Sequence, residues 1–122
     1  MKKNKVLVVK DNELNMKLVT DLLRIGKFQV LEAVDAESGI QLARVHHPNL
    51  ILMDIQLPGM NGPCAIKVIK EDDSLNDIPV VALTSHAMAR DKDKAIKAGC
   101  IGYITKPIDT RRFLKSISPY LN

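Results

Sequence analysis

Aromatic side chains are nearly absent from this chain, with two Tyr, two Phe and no Trp in 122 residues. The core must therefore be filled by Val, Ile, Leu and Ala, and the composition argues against the stacking platforms on which single-stranded nucleic acid lies. Cysteine is equally scarce. Cys64 and Cys100 stand apart, without a CxxC spacing or neighbouring His ligands, and read as buried thiols in a reducing compartment. No apolar run approaches the ~20 residues that span a bilayer, and the stretch from Met1 to Lys5 leads into a strand rather than a secretory segment. A soluble cytoplasmic protein without membrane contact is expected. There is no internal repeat, low-complexity tract or linker.

What the chain does contain is an even mixture, 46% apolar and 26% charged, with a net charge of +4. The Lys and Arg residues are spread out, with mild clusters from Arg90 to Lys97 and from Arg111 to Lys115, so they read as solvated helix faces or as a surface for an acidic protein partner. Direct nucleic-acid binding is not expected. A length of 122 residues suits one domain, residues 1–122, and leaves no room for a second module.

Strand and helix patterns alternate five times with short connections, which predicts an α/β doubly wound fold on a parallel sheet of order 2-1-3-4-5 with helices on both faces. Strands are expected over Val6–Val9, Gln29–Ala33, Leu50–Asp54, Val80–Thr84 and Ile101–Thr105. Asp11 or Asn12 can cap the first helix, whose Leu14, Leu18, Leu22 and Ile25 suggest its buried face. Asp35 caps the second, which must stop before Pro48. Pro63 suits the first turn of the third, with Ile66 and Ile69 buried. The fourth, Ala87 to Ala98, has a thin apolar stripe and ends at Gly99, while Asp109 opens a fifth with Phe113 and Ile117 inward.

Leu50, Ile51, Leu52 and Met53 form a run buried on both faces, and Asp54 closes it just before the loop residues Pro58, Gly59, Asn61 and Gly62. Other strands also end in polar residues: Val9 before Lys10 and Asp11, Leu83 before Thr84, and Thr105 before Lys106. In an open parallel sheet these ends share one edge, where ligands bind. Two carboxylates, a hydroxyl and an ammonium there suit phosphoryl transfer. A carboxylate can attack phosphorus to form an aspartyl phosphate, and the remaining groups neutralise and orient the charge on three oxygens. Mg²⁺ would find hard ligands in Asp11, Asp54 and the Gln56 carbonyl.

The segments VLVVKDNELN, LILMDIQLPGMNG, VVALTSHAM and GYITKPID resemble the receiver domain of two-component response regulators, over essentially the whole chain. The resemblance implies a flavodoxin-like fold and a signalling protein rather than an enzyme acting on other molecules. It implies Asp54 as phosphoacceptor from a histidine kinase or histidine phosphotransfer protein, Asp11 as a Mg²⁺ ligand, and Thr84 and Lys106 as phosphoryl contacts. Tyr103 is implied as the aromatic that turns inward after Thr84. The face of the fourth helix, fifth strand and fifth helix would then meet a downstream protein, from a monomer or weak dimer that has no output domain of its own. Plainer roles exist: Thr84 as a β-branched strand residue, Lys106 as a solvated charge, Tyr103 as a static half-buried ring. A metal-dependent phosphohydrolase would want a second acid where Gln56 stands.

One position departs from the pattern. Receivers usually carry two acids after the first strand, and here the first of them is Lys10, a change of two charge units. At an effective dielectric of ~20 and ~6 Å, each unit is worth about 3 kcal/mol before screening. Three arrangements follow. Lys10 can extend to solvent and leave a weaker Mg²⁺ site, or pair with Asp54 and Asp11 as an internal cation. The third is a pseudo-receiver that takes no phosphate and acts as a phosphorylation-independent interaction domain.

Overall fold

Apolar runs of four or five residues form the centre of the molecule because both their faces are covered by helices. The computed structural model describes residues 5–10, 13–54, 62–85, 93, 96–106 and 112–117. Five strands, β1 (Lys5–Val9), β2 (Gln29–Ala33), β3 (Leu50–Asp54), β4 (Val80–Ser85) and β5 (Gly102–Lys106), pair in the order β2-β1-β3-β4-β5. Every pairing is parallel. Helices α1 (Glu13–Ile25), α2 (Ala36–His46) and α3 (Gly62–Glu71) connect successive strands, and a last helix covers Phe113–Ile117. The sheet order matches the sequence expectation, and so do the bounds of β2 and β3. β4 runs one residue further than expected, and β5 is shifted by one, so that Lys106 ends the strand instead of following it.

Alternation of side chains along each strand divides the interior into two cores. Leu7, Val9, Ile51, Met53, Val80 and Ala82 pack under α2 and α3, against Ala36, Ile40, Ala43, Ile66 and Ile69. Val6, Val8, Leu50, Leu52, Val81 and Leu83 pack against Val19 and Leu23 of α1 and against Phe113 and Ile117. Close approach of α2 to β1 depends on Gly39, where an added Cβ would lie 2.7 Å from Val9 Cγ2.

Helix ends follow their local chemistry. Asp35 Oδ1 accepts from the Ser38 amide at 2.7 Å, capping α2 as expected. His47 closes the same helix in the left-handed region at φ 48°, immediately before Pro48. Gly99 takes φ +119° as the amide that bonds Ile96 C=O at 3.1 Å, in keeping with its expected role at the end of the fourth predicted helix. Most of that helix lies outside the described residues, as do Asp11, Asn12 and Asp109.

Two sequence expectations need correction. In α1, Leu18 is 37% and Ile25 72% exposed, whereas Val19 and Leu23 are fully buried. At ~100° per residue, Val19 and Leu23 lie about 100° and 140° round the axis from Leu18 while Ile25 lies about 20° to its other side, so the buried face is turned away from Leu18 and Ile25 and only Leu22 reaches its margin. Cys64 is also exposed, and only Cys100 is buried. Residue 64 lies just before the buried stripe of Ala65, Ile66 and Ile69, on the outward side of α3.

Candidate functional site

Parallel pairing sets the carboxyl ends of the strands beside one another. Val9 lies opposite Met53 and Ala33, so the next residues, Lys10 and Asp54, emerge side by side from the two central strands. Asp54 itself pairs with Leu83, which brings the backbone of Thr84 one step further along the same edge. Thr84 is opposite Thr105 and Ser85 opposite Lys106. Four of the expected site positions, Lys10, Asp54, Thr84 and Lys106, thus share the carboxyl edge of β1, β3, β4 and β5. Asp11 and Gln56 lie outside the described residues.

Side-chain alternation carries Lys10 and Asp54 to the same face of the sheet, in line with Val6 and Val8 on one strand and Leu50 and Leu52 on the other. The Lys10 amide bonds the Ala33 carbonyl at 3.0 Å, which fixes its backbone and aims its stem. Lys10 Nζ lies 3.4 Å from Asp54 Oδ2. Lys10 is fully buried and Asp54 3% exposed. Lysine is among the residues least often buried completely, and then almost only when paired. Lys10 therefore does not extend to solvent: its ammonium is internal and faces Asp54, while Asp11, the other expected partner, lies outside the described residues.

The energetics of this pair point away from a purely structural role. Taking an ammonium and a carboxylate out of water is costly, and their attraction commonly does no more than offset it. At 3.4 Å the contact is also longer than the 2.7–2.9 Å typical of a tight charge-assisted hydrogen bond. Two aliphatic side chains would hold this corner at least as well. Among the described residues the other buried polar side chain is Thr20, whose hydroxyl is accounted for by a 3.0 Å bond to Lys17 C=O. No group of three or more His, Cys, Asp or Glu side chains gathers to hold a metal among the described residues.

Tyr103, opposite Ala82 on β5, is 47% exposed. A polar cluster with no clear signature in the sequence lies at the opposite edge of the sheet. Lys70 Nζ donates to the Ile78 carbonyl at 2.8 Å and to that of Asn76 at 3.3 Å, bracing the turn into β4. Burial lowers the Lys70 pKa and raises that of the Cys100 thiol. The only signal in the sequence was one Lys at the end of α3, indistinguishable from a solvated charge.

A family model for the response regulator receiver domain matches residues 6–118. The chain belongs to that family. The receiver is 45% identical over 116 residues to the polar-differentiation response regulator DivK of Brucella ovis, which covers 95% of this chain and 94% of that one. DivK of Brucella anthropi matches to the same extent. In fold it is similar to a putative response regulator from Chloroflexus aurantiacus, with a TM-score of 0.94 at 22% identity over 98% of both chains. It is also similar to the receiver domain of the sensor histidine kinase PA1611 from Pseudomonas aeruginosa, with a TM-score of 0.90 at 25% identity over 98% of both. That structure has a magnesium ion coordinated in its active-site cleft. Receiver domains work in two-component signalling, where they meet histidine kinases and downstream partners, and they generally bind Mg²⁺. No described helix is long and apolar enough to cross a membrane.

Proposed function

We propose that this receiver is a phosphorylation switch whose acceptor is Asp54, supplied by a histidine kinase or a histidine phosphotransfer protein. The observation that carries the reading is a buried carboxylate at the carboxyl end of a central strand, facing a buried ammonium, with the backbones of Thr84 and Lys106 on the same edge. In this reading Thr84 donates to one phosphoryl oxygen and Lys106 pairs with another. Inward movement of Thr84 leaves room for Tyr103, which starts half exposed. The fourth helix, β5 and the last helix then present a changed face to a protein partner, with Lys97 and Arg112 on its exposed surface.

Asp11, Asp54 and the Gln56 carbonyl are the groups that would ligate Mg²⁺ by the family pattern. The described residues do not fit a resident divalent ion, because the Lys10 ammonium already faces the Asp54 carboxylate from 3.4 Å. An ion bound to that carboxylate would stand close to the ammonium. At ~4 Å and an effective dielectric of ~20, the repulsion is about 4 kcal/mol for each of its two charges.

The same ion pair favours a second reading, a phosphorylation-independent interaction domain in which Lys10 permanently occupies Asp54. One experiment separates them. The protein and its Asp54→Asn variant are incubated with a phosphoramidate donor, and intact masses are compared. A gain of one phosphoryl group in the parent alone supports the switch. A gain that persists in the variant moves the acceptor elsewhere, and no gain in either supports the second reading.

A further inference from the structure

We infer that the Lys10 ammonium takes the place of the divalent cation in phosphoryl transfer to Asp54, so that this receiver accepts a phosphoryl group without metal. The inference rests on Asp54 being the acceptor, as proposed above. Charge is the first argument. By formal charge alone, an acid at position 10 would make the set of residues 10, 11, 54 and 106 two units negative, an excess that one divalent ion neutralises. With Lys10, the formal charges of Lys10, Asp11, Asp54 and Lys106 cancel without any ion. The substitution supplies the two charge units that Mg²⁺ would otherwise bring.

Geometry is the second. The ammonium is fully buried, anchored through a main-chain bond to Ala33, and 3.4 Å from the carboxylate that would attack phosphorus. A positive charge already desolvated and aimed needs no reorganisation when charge develops. Direction of charge change is the third. With acetyl phosphate as donor, an Asp54 carboxylate oxygen forms a bond to phosphorus, the bond from phosphorus to the acetyl oxygen breaks, and acetate leaves with the bonding pair. No oxidation or reduction occurs. The free carboxylate carries one negative charge, the carboxylate with the incoming donor dianion about three, and the acyl phosphate about two once acetate has left with the third, so the ammonium is attracted more strongly to the transition state and product than to the free carboxylate. Lys10 thereby acts on the reacting atoms.

The test is labelling by acetyl phosphate with EDTA and, separately, with excess Mg²⁺, followed by intact mass against time. The full chain is compared with its Lys10→Gln, Lys10→Glu and Asp54→Asn variants, each checked for native far-ultraviolet dichroism, and Mg²⁺ binding is measured by calorimetry. The parent is expected to label at similar rates in both conditions and to show no saturable Mg²⁺ heat. Lys10→Gln should label about a hundredfold more slowly in EDTA. Lys10→Glu should bind Mg²⁺ and require it for labelling. Labelling of the parent only with Mg²⁺ overturns the inference and leaves Asp54 as acceptor. Unchanged labelling of Lys10→Gln in EDTA also overturns it, because the ammonium is then dispensable. Absence of label from the parent in both conditions, or label retained by Asp54→Asn, overturns the acceptor assignment and the inference together.

Discussion

Lys10 Nζ and Asp54 Oδ2 face each other at 3.4 Å inside the carboxyl edge of the sheet, both shielded from water. Removing either partner takes the facing countercharge away from a buried ion, so Lys10→Met and Asp54→Asn should each destabilise the fold, by up to about 3–5 kcal/mol. The double variant Lys10→Met, Asp54→Leu should recover most of that loss. Urea unfolding of the four proteins gives the coupling directly. At an edge made of acids alone, neutralising Asp54 would instead relieve repulsion, so the sign of the Asp54→Asn effect distinguishes the two kinds of site.

Gly39 is a packing constraint on the strand that delivers Lys10. A methyl group there would meet Val9 Cγ2 at 2.7 Å, and Val9 is fully buried beneath α2. Gly39→Ala should therefore cost about 1–3 kcal/mol despite the better helix propensity of alanine. Trimming the obstacle in Gly39→Ala, Val9→Ala should return part of the loss, which thermal melts of the two variants would show.

Acid sensitivity should trace partly to Asp35 and Asp72. The Asp35 carboxylate has its pKa lowered by the Ser38 amide and hydroxyl. That of Asp72 is lowered chiefly by Ser74, through a 2.7 Å hydroxyl bond and a 2.9 Å amide bond, with Arg44 adding to it. A depressed pKa in the folded state stabilises above the unfolded value and is lost as pH falls through the folded one. Both contributions are thus complete at neutral pH and disappear below about pH 4. Asp35→Ala should lower the melting temperature near pH 7 and narrow its decline between pH 5 and pH 3. A parallel decline in parent and variant would contradict the capping role.

Thiol chemistry should separate the two cysteines. Cys64 is exposed on α3, whereas Cys100 is buried beside Lys70 with its pKa raised by desolvation. A disulfide reagent at pH 8 is expected to label one thiol of the folded protein quickly and the second only on unfolding. Cys64→Ser should abolish the fast phase.

The sheet was legible in the sequence because runs such as Leu50–Met53 have few alternatives, and Asp54 was legible because an acid ending such a run has few structural reasons to be there. The face of α1 was not. Spacing by four matches Leu14, Leu18 and Leu22 as well as Val19 and Leu23, and only contact with Val6, Val8 and Phe113 decides between the rows. The direction of Lys10 was equally hidden, since a four-carbon stem reaches solvent or a neighbouring strand with equal ease. Its direction follows from the register of Val9 with Met53 and from the parity that puts residues 10 and 54 on one face. Composition likewise made two buried thiols the natural reading, and helix phase moved Cys64 outside.

A cation that is part of the polypeptide has no dissociation equilibrium with the solvent. A metal ion that binds only the native state adds stability in proportion to the logarithm of its concentration and withdraws it on dialysis. The ammonium of Lys10 is present at a local concentration set by its tether, whatever the bath contains. Its occupancy beside Asp54 is decided when the chain folds.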